Sequence, residues 1–396
     1  MRLLVVSWWM PYPPDNGTRQ RAFNLLTHLS RHHTITLLTF GRTSPADDIG
    51  PLRELCDRLE IFRPRIPQSA RLGIEGLLST VPRYYAQTRS ADLTARVNTI
   101  AQGHDALLAL TCGAALHMTG VARARPSVLD EIEVGVLRDQ YTGEPRLVRR
   151  LRHGLTWWKY AQFIRSLASR FNRSTVVSER EREFLGLMGC DTTRVAVVAN
   201  GVNVPATLDV REKVRRLVYP GSVMYSANLD AVRFFVHDVW PLVRAMAPDL
   251  TLTVTGATDG VDLGGLDSAD GVTFTGRLPD VDDLIATSAA CVVPLRVGGG
   301  TRLKILHAMA LATPVVSTSK GIEGLDLVPG QHLLVADTPE DLAASILRVT
   351  NDRALGTVLA CEGYALVRDR YAWGPIAETL ERVILDAVEE HRRTVP

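Results

Sequence analysis

Long apolar runs are missing from this chain of 396 residues, since none approaches the roughly 20 residues that a membrane-spanning helix needs. The five cysteines are scattered and include no Cys-x-x-Cys pair, which argues against a disulfide scaffold or a zinc site and favours a reducing cytoplasm. The apolar start of the chain is interrupted by Pro11, Pro13 and Pro14 and has no small-residue cleavage site. We therefore expect a buried first strand there and not a signal peptide.

Lysine is scarce as well, because only four of the 45 basic residues are lysine and the rest are arginine. The net charge of +2 hides an asymmetry: residues 1–200 hold 27 basic and 18 acidic residues, a net of +9, and residues 201–396 hold 18 and 25, a net of −7. With a length too great for one ordinary core, this predicts two domains. The basic half could meet an anionic substrate, a membrane surface or nucleic acid, or it could simply carry a solvated arginine-rich surface.

Short Val- and Leu-rich runs alternate with helical spacings along the chain. "RLLVVSWW" and "TITLLTF" are typical of strands and "TRQRAFNLLTHLSRH" of a helix, and a second such series begins after Asn200–Ala206. Continuous apolar runs bounded by turns favour parallel strands that are covered on both faces. The sequence therefore predicts an α/β protein with two doubly wound, Rossmann-like parallel-sheet domains facing a cleft, with functional loops at the carboxyl ends of the strands.

The segment Arg149–Ser174 is helical, basic and aromatic. It could lie on an anionic membrane. We prefer the alternative, a helix that packs Trp157, Trp158 and Phe163 inward and turns Arg and Lys outward, because the apolar positions fit one stripe.

Three consecutive glycines, Gly298–Gly300, follow the apolar run "ACVVPL" and open a helical pattern. Glycine lets a backbone approach a ligand closely, and the first N–H groups of a helix favour an anion. Arg302 and Lys304 lie in the first turn, where a cation opposes the helix dipole. We therefore predict a phosphate site, with a flexible surface turn as the alternative. The run matches neither the Walker pattern nor Gly-x-Gly-x-x-Gly.

Two further loops follow predicted strands. The loop "NGTRQR" of the N-terminal half offers Gly17 for close approach to a ligand, and Arg19 or Arg21 could meet phosphate. Asn16 in this loop is a candidate helix cap, which does not exclude that role. The loop "YPGSVMYSAN" of the C-terminal half could face the triple-glycine loop or be an ordinary connection, and its candidate residues are Gly221, Ser222 and Asn228.

Three stretches of the C-terminal half form a known pattern: "YPGSVMYSANLDAVRFFVHDVWPLV", "VTFTGRLPDVDDL" and "PLRVGGGTRLKILHAMALA". They resemble glycosyltransferase family 4, and "PYPPDNGTRQRAFNLLTHLS" and "VAVVANGVN" are similar to the N-terminal half of that family. The resemblance covers nearly the whole chain, is strong over 217–326 and is loose over 45–150. It implies the GT-B fold and a retaining, metal-independent transfer of a sugar from a nucleotide-sugar donor to a hydroxyl acceptor, without a cofactor.

The resemblance also implies three parts of the chain: an acceptor-side domain 1–198, a donor-side domain 199–370, and a helix 371–396 that crosses back to the N-terminal domain. The acceptor could be a glycan, a lipid-linked glycan or a small metabolite. We expect a cytoplasmic protein that could contact the inner face of the membrane through its basic domain, and no nucleic-acid partner.

The resemblance assigns roles to individual residues. Arg302 and Lys304 would neutralise the leaving diphosphate as catalytic residues, and the backbone at Arg277–Leu278 would hold the base. The residues implied to bind the donor are Gly17, Gly221, Ser222, Asn228, Arg277, Leu278, Gly298, Gly299, Gly300, Thr301, Leu303, His307 and Glu323.

Three positions depart from the family pattern. The family often carries two glutamates eight residues apart, and here those positions are Gly299 and His307. A neutral His307 can still accept a hydrogen bond from a ribose hydroxyl, whereas the contact of the first glutamate with the donor sugar is lost. The subgroup that the chain resembles most has the pattern G-x-G-T-R-L-K-I-L-E-A-M-A, and Ser226 stands where this subgroup has proline.

The missing glutamates keep other functions open. A non-catalytic protein that binds a nucleotide sugar is one, and a sugar-nucleotide 2-epimerase on the same fold is another. A dinucleotide-dependent oxidoreductase ranks last, because the first strand is followed by neither Gly-x-Gly-x-x-Gly nor an acidic residue at the expected distance.

Acceptor-side candidates come from the N-terminal half. Asp130 and Glu131 follow the predicted strand "PSVLDE", where either could meet an acceptor or cap a helix. His104 and His117 are candidates for a catalytic histidine, although a lone histidine is more often structural.

Overall fold

The computed structural model describes residues 1–41, 49–63, 82, 85, 89–144 and 146–394. The chain forms two compact units, Met1–Asn200 with Trp373–Pro396, and Gly201–Ala372. The sequence placed these divisions at 198/199 and 370/371. Much of the segment 45–90, where the family resemblance is loose, lies outside the described residues.

The N-terminal unit is built on a parallel sheet that has seven strands among the described residues, in the order β3-β2-β1-β4-β5-β6-β7. The strands are β1 (Arg2–Ser7), β2 (Thr34–Phe40), β3 (Arg58–Phe62), β4 (Ala106–Leu110), β5 (Ser127–Asp130), β6 (Arg173–Val176) and β7 (Val195–Val197). The helices are α1 (Gly17–Leu29), α2 (Gly50–Leu55), α3 (Ala91–Ile100), α4 (Cys112–Ala115), α5 (Gly135–Thr142), α6 (Leu147–Ala168), α7 (Glu179–Leu187) and, from the end of the chain, α14 (Trp373–Thr394).

The central strands of this sheet are apolar on both faces, as their sequences predict. In β1, Leu3 and Val5 join a core layer with α1 and α14, whereas Leu4 and Val6 join a layer with α3, α6 and α7. Side chains alternate between the faces of a strand, so an uninterrupted apolar run fills both layers.

The C-terminal unit has a second parallel sheet, with six strands among the described residues in the order β10-β9-β8-β11-β12-β13. The strands are β8 (Val214–Pro220), β9 (Thr251–Thr255), β10 (Val272–Phe274), β11 (Ser288–Val293), β12 (Val315–Ser317) and β13 (Leu334–Val335). The helices are α8 (Ser226–Phe234), α9 (Trp240–Met246), α10 (Asp282–Thr287), α11 (Leu303–Ala310), α12 (Pro339–Asn351) and α13 (Arg353–Arg370).

The sequence from Asn228 to Pro248 predicts one helix, and the chain is helical without a gap over residues 226–246, although it is not a regular α-helix throughout. A π-helical segment, Phe235–Val239, separates α8 from α9. Pro241 lies in the first turn of α9, where the missing N–H is tolerated. A proline at this point breaks the i→i−4 ladder, which explains why the segment does not continue as a regular helix.

Helix α6 departs from the preferred prediction. Phe163 is buried and Trp157 packs partly against the core, but Trp158 is 54% exposed. The expectation that all three aromatic residues pack inward is therefore wrong for Trp158.

Within the described parts of the chain, no helix has both the length and the apolar character needed to cross a membrane.

Candidate functional site

The carboxyl edge of the C-terminal sheet brings two of the predicted loops together. β8 and β11 are neighbours, so the residues that follow them lie side by side. Gly298 has a φ of 102°, and a Cβ atom there would lie 3.0 Å from the Cβ of Ala227 in α8. Glycine at this position therefore lets the loop after β11 pack closely on the start of α8.

Arg302 immediately precedes α11 and is 6% exposed. Its guanidinium donates to the carbonyl oxygens of Gly298 at 2.7 Å and Gly299 at 2.5 Å, and to that of Lys320 at 3.5 Å. Because a guanidinium stays charged and donates in several directions, Arg302 both fixes the glycine loop and keeps a positive charge within it.

Lys304 lies in the first turn of α11 with its amine among polar groups at the end of β8. Nζ donates to the Tyr219 hydroxyl at 2.8 Å and to Asn228 Oδ1 at 2.9 Å, and it lies 4.0 Å from the centre of the Tyr219 ring. A Cβ at Gly221 (φ 147°) would lie 2.8 Å from Nζ, so a larger residue would displace the amine from this position. Burial, together with the charge of Arg302, lowers the pKa of Lys304 to about 7.

Asn228 and Ser222 hold this loop in place. Asn228 accepts from the Tyr219 hydroxyl at 2.9 Å and donates through Nδ2 to the Ser222 carbonyl at 2.8 Å. Ser222 Oγ donates to the Ala257 carbonyl at 2.9 Å, which ties the loop to the end of β9. The neutral polar residues predicted from the loop thus orient Lys304 and the neighbouring backbone.

The helix start differs in one detail from the predicted phosphate cradle. The N–H of Leu303 donates to the Thr301 carbonyl at 2.9 Å, and the N–H of Ile305 donates to the Arg302 carbonyl at 2.9 Å. Gly300, with φ 79°, is exposed at the tip of the loop. A diphosphate that uses the Leu303 N–H would have to replace the bond to Thr301.

His307 lies one turn further along α11 and contacts α10. Its Nε2 is 2.8 Å from Asp282 Oδ1, and this hydrogen bond lowers the pKa of Asp282. The imidazole is thereby fixed through one nitrogen, with 31% of the side chain exposed. A glutamate at this position, as in the family pattern, would face the Asp282 carboxylate.

The remaining donor-side candidates lie on other loops of the same unit. Arg277 is exposed and Leu278 half-buried after β10, and the carbonyl of the preceding Gly276 accepts from the Gly256 N–H at 3.0 Å. Glu323 accepts from Lys320 Nζ at 2.5 Å, and both side chains are half-buried.

The corresponding loop of the N-terminal unit begins α1 at Gly17. Asn16 caps this helix by accepting from the Arg19 N–H at 3.1 Å, and the Arg19 side chain pairs with Asp15 at 3.0 Å. Arg21 is 1% exposed. Arg21 therefore lies in the interior of the unit, and the prediction that it could meet a phosphate at the loop surface is wrong.

Asp130, at the end of β5, is the partner of Arg21. The two side chains form a pair of hydrogen bonds at 2.7 and 2.8 Å, and Thr175 Oγ1 donates to Asp130 at 2.5 Å. Arg21 also donates to the Ala199 carbonyl at 2.8 Å. Since both Asp130 oxygens are bonded inside the unit, the pair joins α1, β5 and the end of β7.

Among the described residues at this edge, two that are not glycine adopt a positive φ. Glu131 has φ 57° directly after β5, and Thr111 has φ 90° directly after the neighbouring β4. The Thr111 N–H donates to the Asp130 carbonyl at 3.2 Å. Burial raises the pKa of Glu131 to about 8 although Arg21 opposes this shift. Backbone strain and a displaced carboxyl pKa occur together at functional sites more often than elsewhere.

The two candidate histidines have structural partners. His104 is held by the Ile100 carbonyl at 2.8 Å and Thr36 Oγ1 at 2.9 Å. His117 is buried, with Nδ1 2.8 Å from Thr94 Oγ1. These hydrogen bonds give both histidines a structural role that needs no ligand.

Three residues of these edges were not predicted from the sequence: Tyr219, Asp282 and Thr111. Tyr219 was included in the strand before the glycine turn, and its hydroxyl is recognisable only once Lys304 is adjacent. Asp282 is 25 residues from His307 in sequence. The strain at Thr111 has no sequence signal, because threonine is usual at strand ends.

In the described segments, no group of three or more His, Cys, Asp or Glu side chains could hold a metal ion.

Comparisons with known proteins agree with this architecture. Residues 214–352 match the family model Glyco_trans_1_4, described as "Glycosyl transferases group 1". A Klebsiella pneumoniae relative, an uncharacterized 44.6 kDa protein in the cps region, is 24% identical over 233 residues, which are 54% of this chain and 58% of that protein. The chain thus aligns with less than two thirds of this curated relative.

Solved structures resemble the chain over nearly its full length. Sucrose-phosphate synthase from Thermosynechococcus elongatus has a TM-score of 0.70 at 16% identity, covering 98% of this chain and 100% of that one. Anabaena HepE, in complex with UDP and glucose, has a TM-score of 0.67 at 14% identity, covering 96% and 98%. A mutant of S. aureus TarM, in complex with fondaparinux, α-GlcNAc-glycerol and UDP, has a TM-score of 0.70 at 12% identity, covering 97% and 100%.

The fold is GT-B. Residues 214–352, which match the glycosyl transferases group 1 model, lie in the C-terminal unit and include the loops of Gly221 and Gly298. The GT-B fold expected from the sequence is thereby confirmed.

Proposed function

We propose that this protein is a glycosyltransferase that moves a sugar from a nucleotide-sugar donor to a hydroxyl acceptor, and that it belongs to glycosyltransferase family 4. One observation carries the proposal: within the segment that matches glycosyl transferases group 1, Arg302 and Lys304 place two basic groups beside the glycine loop. Fixed cations and a helix start stabilise a departing diphosphate. UDP is the first nucleotide to test, because the HepE and TarM structures contain it.

Lys304 would respond to the donor. A bound diphosphate favours the protonated amine, so its pKa would rise from about 7 and the donor would bind together with a proton above that pH. The full charge would then face the leaving group as negative charge develops on it. Arg302, already charged and fixed, would provide the second cation of the site.

Retention is part of the proposal. The diphosphate would leave one face of the sugar while oxocarbenium-like charge develops at the anomeric carbon, and the acceptor hydroxyl would attack from the same face. The leaving phosphate would take the hydroxyl proton, so this route needs no separate base. Arg302 and Lys304 would balance the diphosphate charge without a metal ion.

His307 would contact the donor ribose. Because Nε2 is bonded to Asp282, Nδ1 is the nitrogen left for a ribose hydroxyl. The Asp282 contact would set the tautomer, as a carboxylate partner commonly does for a functional histidine.

Glu131 would act on the acceptor side. Both oxygens of Asp130 are bonded within the N-terminal unit, so Glu131 is the better candidate of the two. With its pKa near 8, the carboxyl could donate a hydrogen bond to an acceptor below that pH and accept one above it. We place the reaction in the cytoplasm, as the scattered free cysteines suggest.

The test is a panel of nucleoside diphosphates and nucleotide sugars, measured first for binding and then for turnover with hydroxyl acceptors. The proposal expects one preferred donor, slow hydrolysis without acceptor, and a glycoside with the anomeric configuration of the donor. Tight binding without turnover would instead favour a non-catalytic binding protein. An epimerised sugar nucleotide formed without acceptor would favour a 2-epimerase.

A further inference from the structure

The amino-terminal half of α6 exposes a row of large apolar side chains. Leu147, Leu151, Leu155 and Trp158 are spaced by three or four residues, so they share one face of the helix. Each of them is between 52% and 71% exposed. A contiguous apolar row on a protein surface marks an interaction site far more often than scattered single residues do.

The opposite face of α6 fixes the helix in the unit. Tyr160, Phe163, Ile164 and Leu167 are buried in the core layer of the N-terminal sheet. Tyr160 also donates to the Glu133 carbonyl at 2.7 Å. The apolar row therefore belongs to a helix that already has its core contacts, and is not the misplaced inner face of that helix.

The charge of α6 is of one sign. Its 22 residues include no Asp or Glu, and its basic residues are Arg149, Arg150, Arg152, Lys159 and Arg165. At 100° per residue, Arg150 and Arg152 fall on either side of the row, and both are exposed. An apolar face bordered by cations, without acidic residues, is the pattern of a helix that lies in a membrane interface.

We propose that this face of α6, named here the α6 stripe and formed by Leu147, Leu151, Leu155 and Trp158, docks on an anionic lipid surface. The apolar side chains would enter the acyl boundary, and the arginines would contact lipid phosphates. The row extends over about 16 Å of helix, so the helix would lie along the surface. This proposal is independent of the proposed sugar transfer.

The basic residues that border the α6 stripe favour an anionic lipid surface over a second copy of the chain as its partner. Two copies that paired through the α6 stripe about a twofold axis would each present the same basic border to the other. The cations would then repel across the contact, whereas an anionic headgroup layer attracts all of them.

The experiment is co-sedimentation of the purified full chain with vesicles. One set contains equal parts of phosphatidylglycerol and phosphatidylcholine, and the other contains phosphatidylcholine alone. We expect binding to the anionic vesicles that weakens as salt is added, and little binding to the neutral ones. Leu151→Glu and Trp158→Glu should each weaken partitioning about tenfold, because each replaces an inserting group by a charge.

Leu187→Glu is the matched control. Leu187 is 69% exposed on α7 of the same unit and lies outside the α6 stripe, so this variant should bind vesicles like wild type. Thermal melting of all three variants checks that they fold.

Three outcomes would overturn the proposal. One is a wild-type chain that does not bind anionic vesicles, and another is folded Leu151→Glu that binds them as well as wild type. The third is a dimer, abolished by Leu151→Glu, in a protein without vesicle affinity, which would make the stripe a self-association surface.

Discussion

At the carboxyl edge of the N-terminal sheet, Arg21 is neutralised by the Asp130 carboxylate, whereas at the same edge of the C-terminal sheet neutral oxygens hold the cations. Arg302 bonds backbone carbonyls, and Lys304 bonds a hydroxyl and an amide. A cation already paired with a carboxylate has little left to offer an anionic ligand, while one held by neutral dipoles keeps its charge for it.

The two edges also differ in how they shape their loops. Gly221 and Gly298 adopt positive φ values in the C-terminal unit without strain, whereas Thr111 and Glu131 adopt them in the N-terminal unit at a cost. The first edge is suited to bring backbone and cations close to a diphosphate. The second presents a carboxyl group whose pKa lies near 8, which suits a neutral hydroxyl substrate.

Asp130→Asn should have the largest effect on stability. The variant leaves the Arg21 guanidinium buried without its carboxylate, and such a loss costs about 3–5 kcal/mol. Urea unfolding measures it. Asp139→Asn, which removes the partly exposed partner of Arg180, is the control and should cost about 1 kcal/mol or less. If both variants lose the same free energy of unfolding, the buried Arg21–Asp130 pair contributes no more stability than a partly exposed pair.

Lys304→Met should have the largest effect on sugar transfer. Removing a charge that faces the leaving group should lower kcat/KM by about 10²–10³-fold. Folding stability should not fall with it, because the variant removes a buried amine whose charge is costly. Steady-state kinetics with the preferred donor measures the change, and Arg233→Met, on the exposed side of α8, is the control for loss of one cation. Full activity in Lys304→Met would refute its role at the diphosphate.

Glu131→Gln should lower kcat for transfer by about 10²-fold, the order expected for loss of a positioned acid or base. Donor affinity and donor hydrolysis should be unaffected, since the residue is assigned to the acceptor. In wild type, the pH profile of kcat should change near pH 8 as Glu131 ionises, and the variant should lack this feature. If Glu131→Gln instead loses donor affinity, the assignment of Glu131 to the acceptor is wrong.

Arg302→Ala should act on both stability and transfer. The carbonyls of Gly298 and Gly299 lose a charged donor, and hydrogen bonds to charged groups contribute about 1.5–3 kcal/mol each. Comparing the unfolding and the activity of Arg302→Ala and Arg302→Lys separates the two roles, because lysine keeps the charge but not the forked geometry. If Arg302→Ala loses activity without losing stability, the guanidinium serves the ligand alone.

The C-terminal edge has a stronger local signal in the sequence than the N-terminal edge, for a physical reason. Three adjacent glycines before a helix, with cations in its first turn, are a local signal, and it made Arg302 and Lys304 candidates. The bond from Arg21 to Asp130 joins residues 109 positions apart, so no local pattern reveals it.

Elements of the fold were likewise predictable where their signal in the sequence is local. Strands that contain a continuous apolar run, such as β1 and β11, were recognisable, whereas β3, half-buried and carrying Arg58 and Glu60, was not singled out. The π-helical turn at Phe235–Val239 lies next to Pro241, and the exposure of Trp158 depends on how α6 packs in its unit. Helical periodicity alone does not carry that information.

The most direct test of the central claim is calorimetry of UDP binding, or of whichever nucleoside diphosphate binds in the panel, at pH 8 in HEPES and in Tris. Because the pKa of Lys304 is about 7 without ligand, most of the amine is neutral at pH 8 and must gain a proton when the diphosphate binds. The account predicts uptake of nearly one proton, an affinity that falls by up to about tenfold per pH unit above pH 7, and loss of both effects in Lys304→Met. Binding without proton uptake in wild type, or with the same uptake in Lys304→Met, would contradict it.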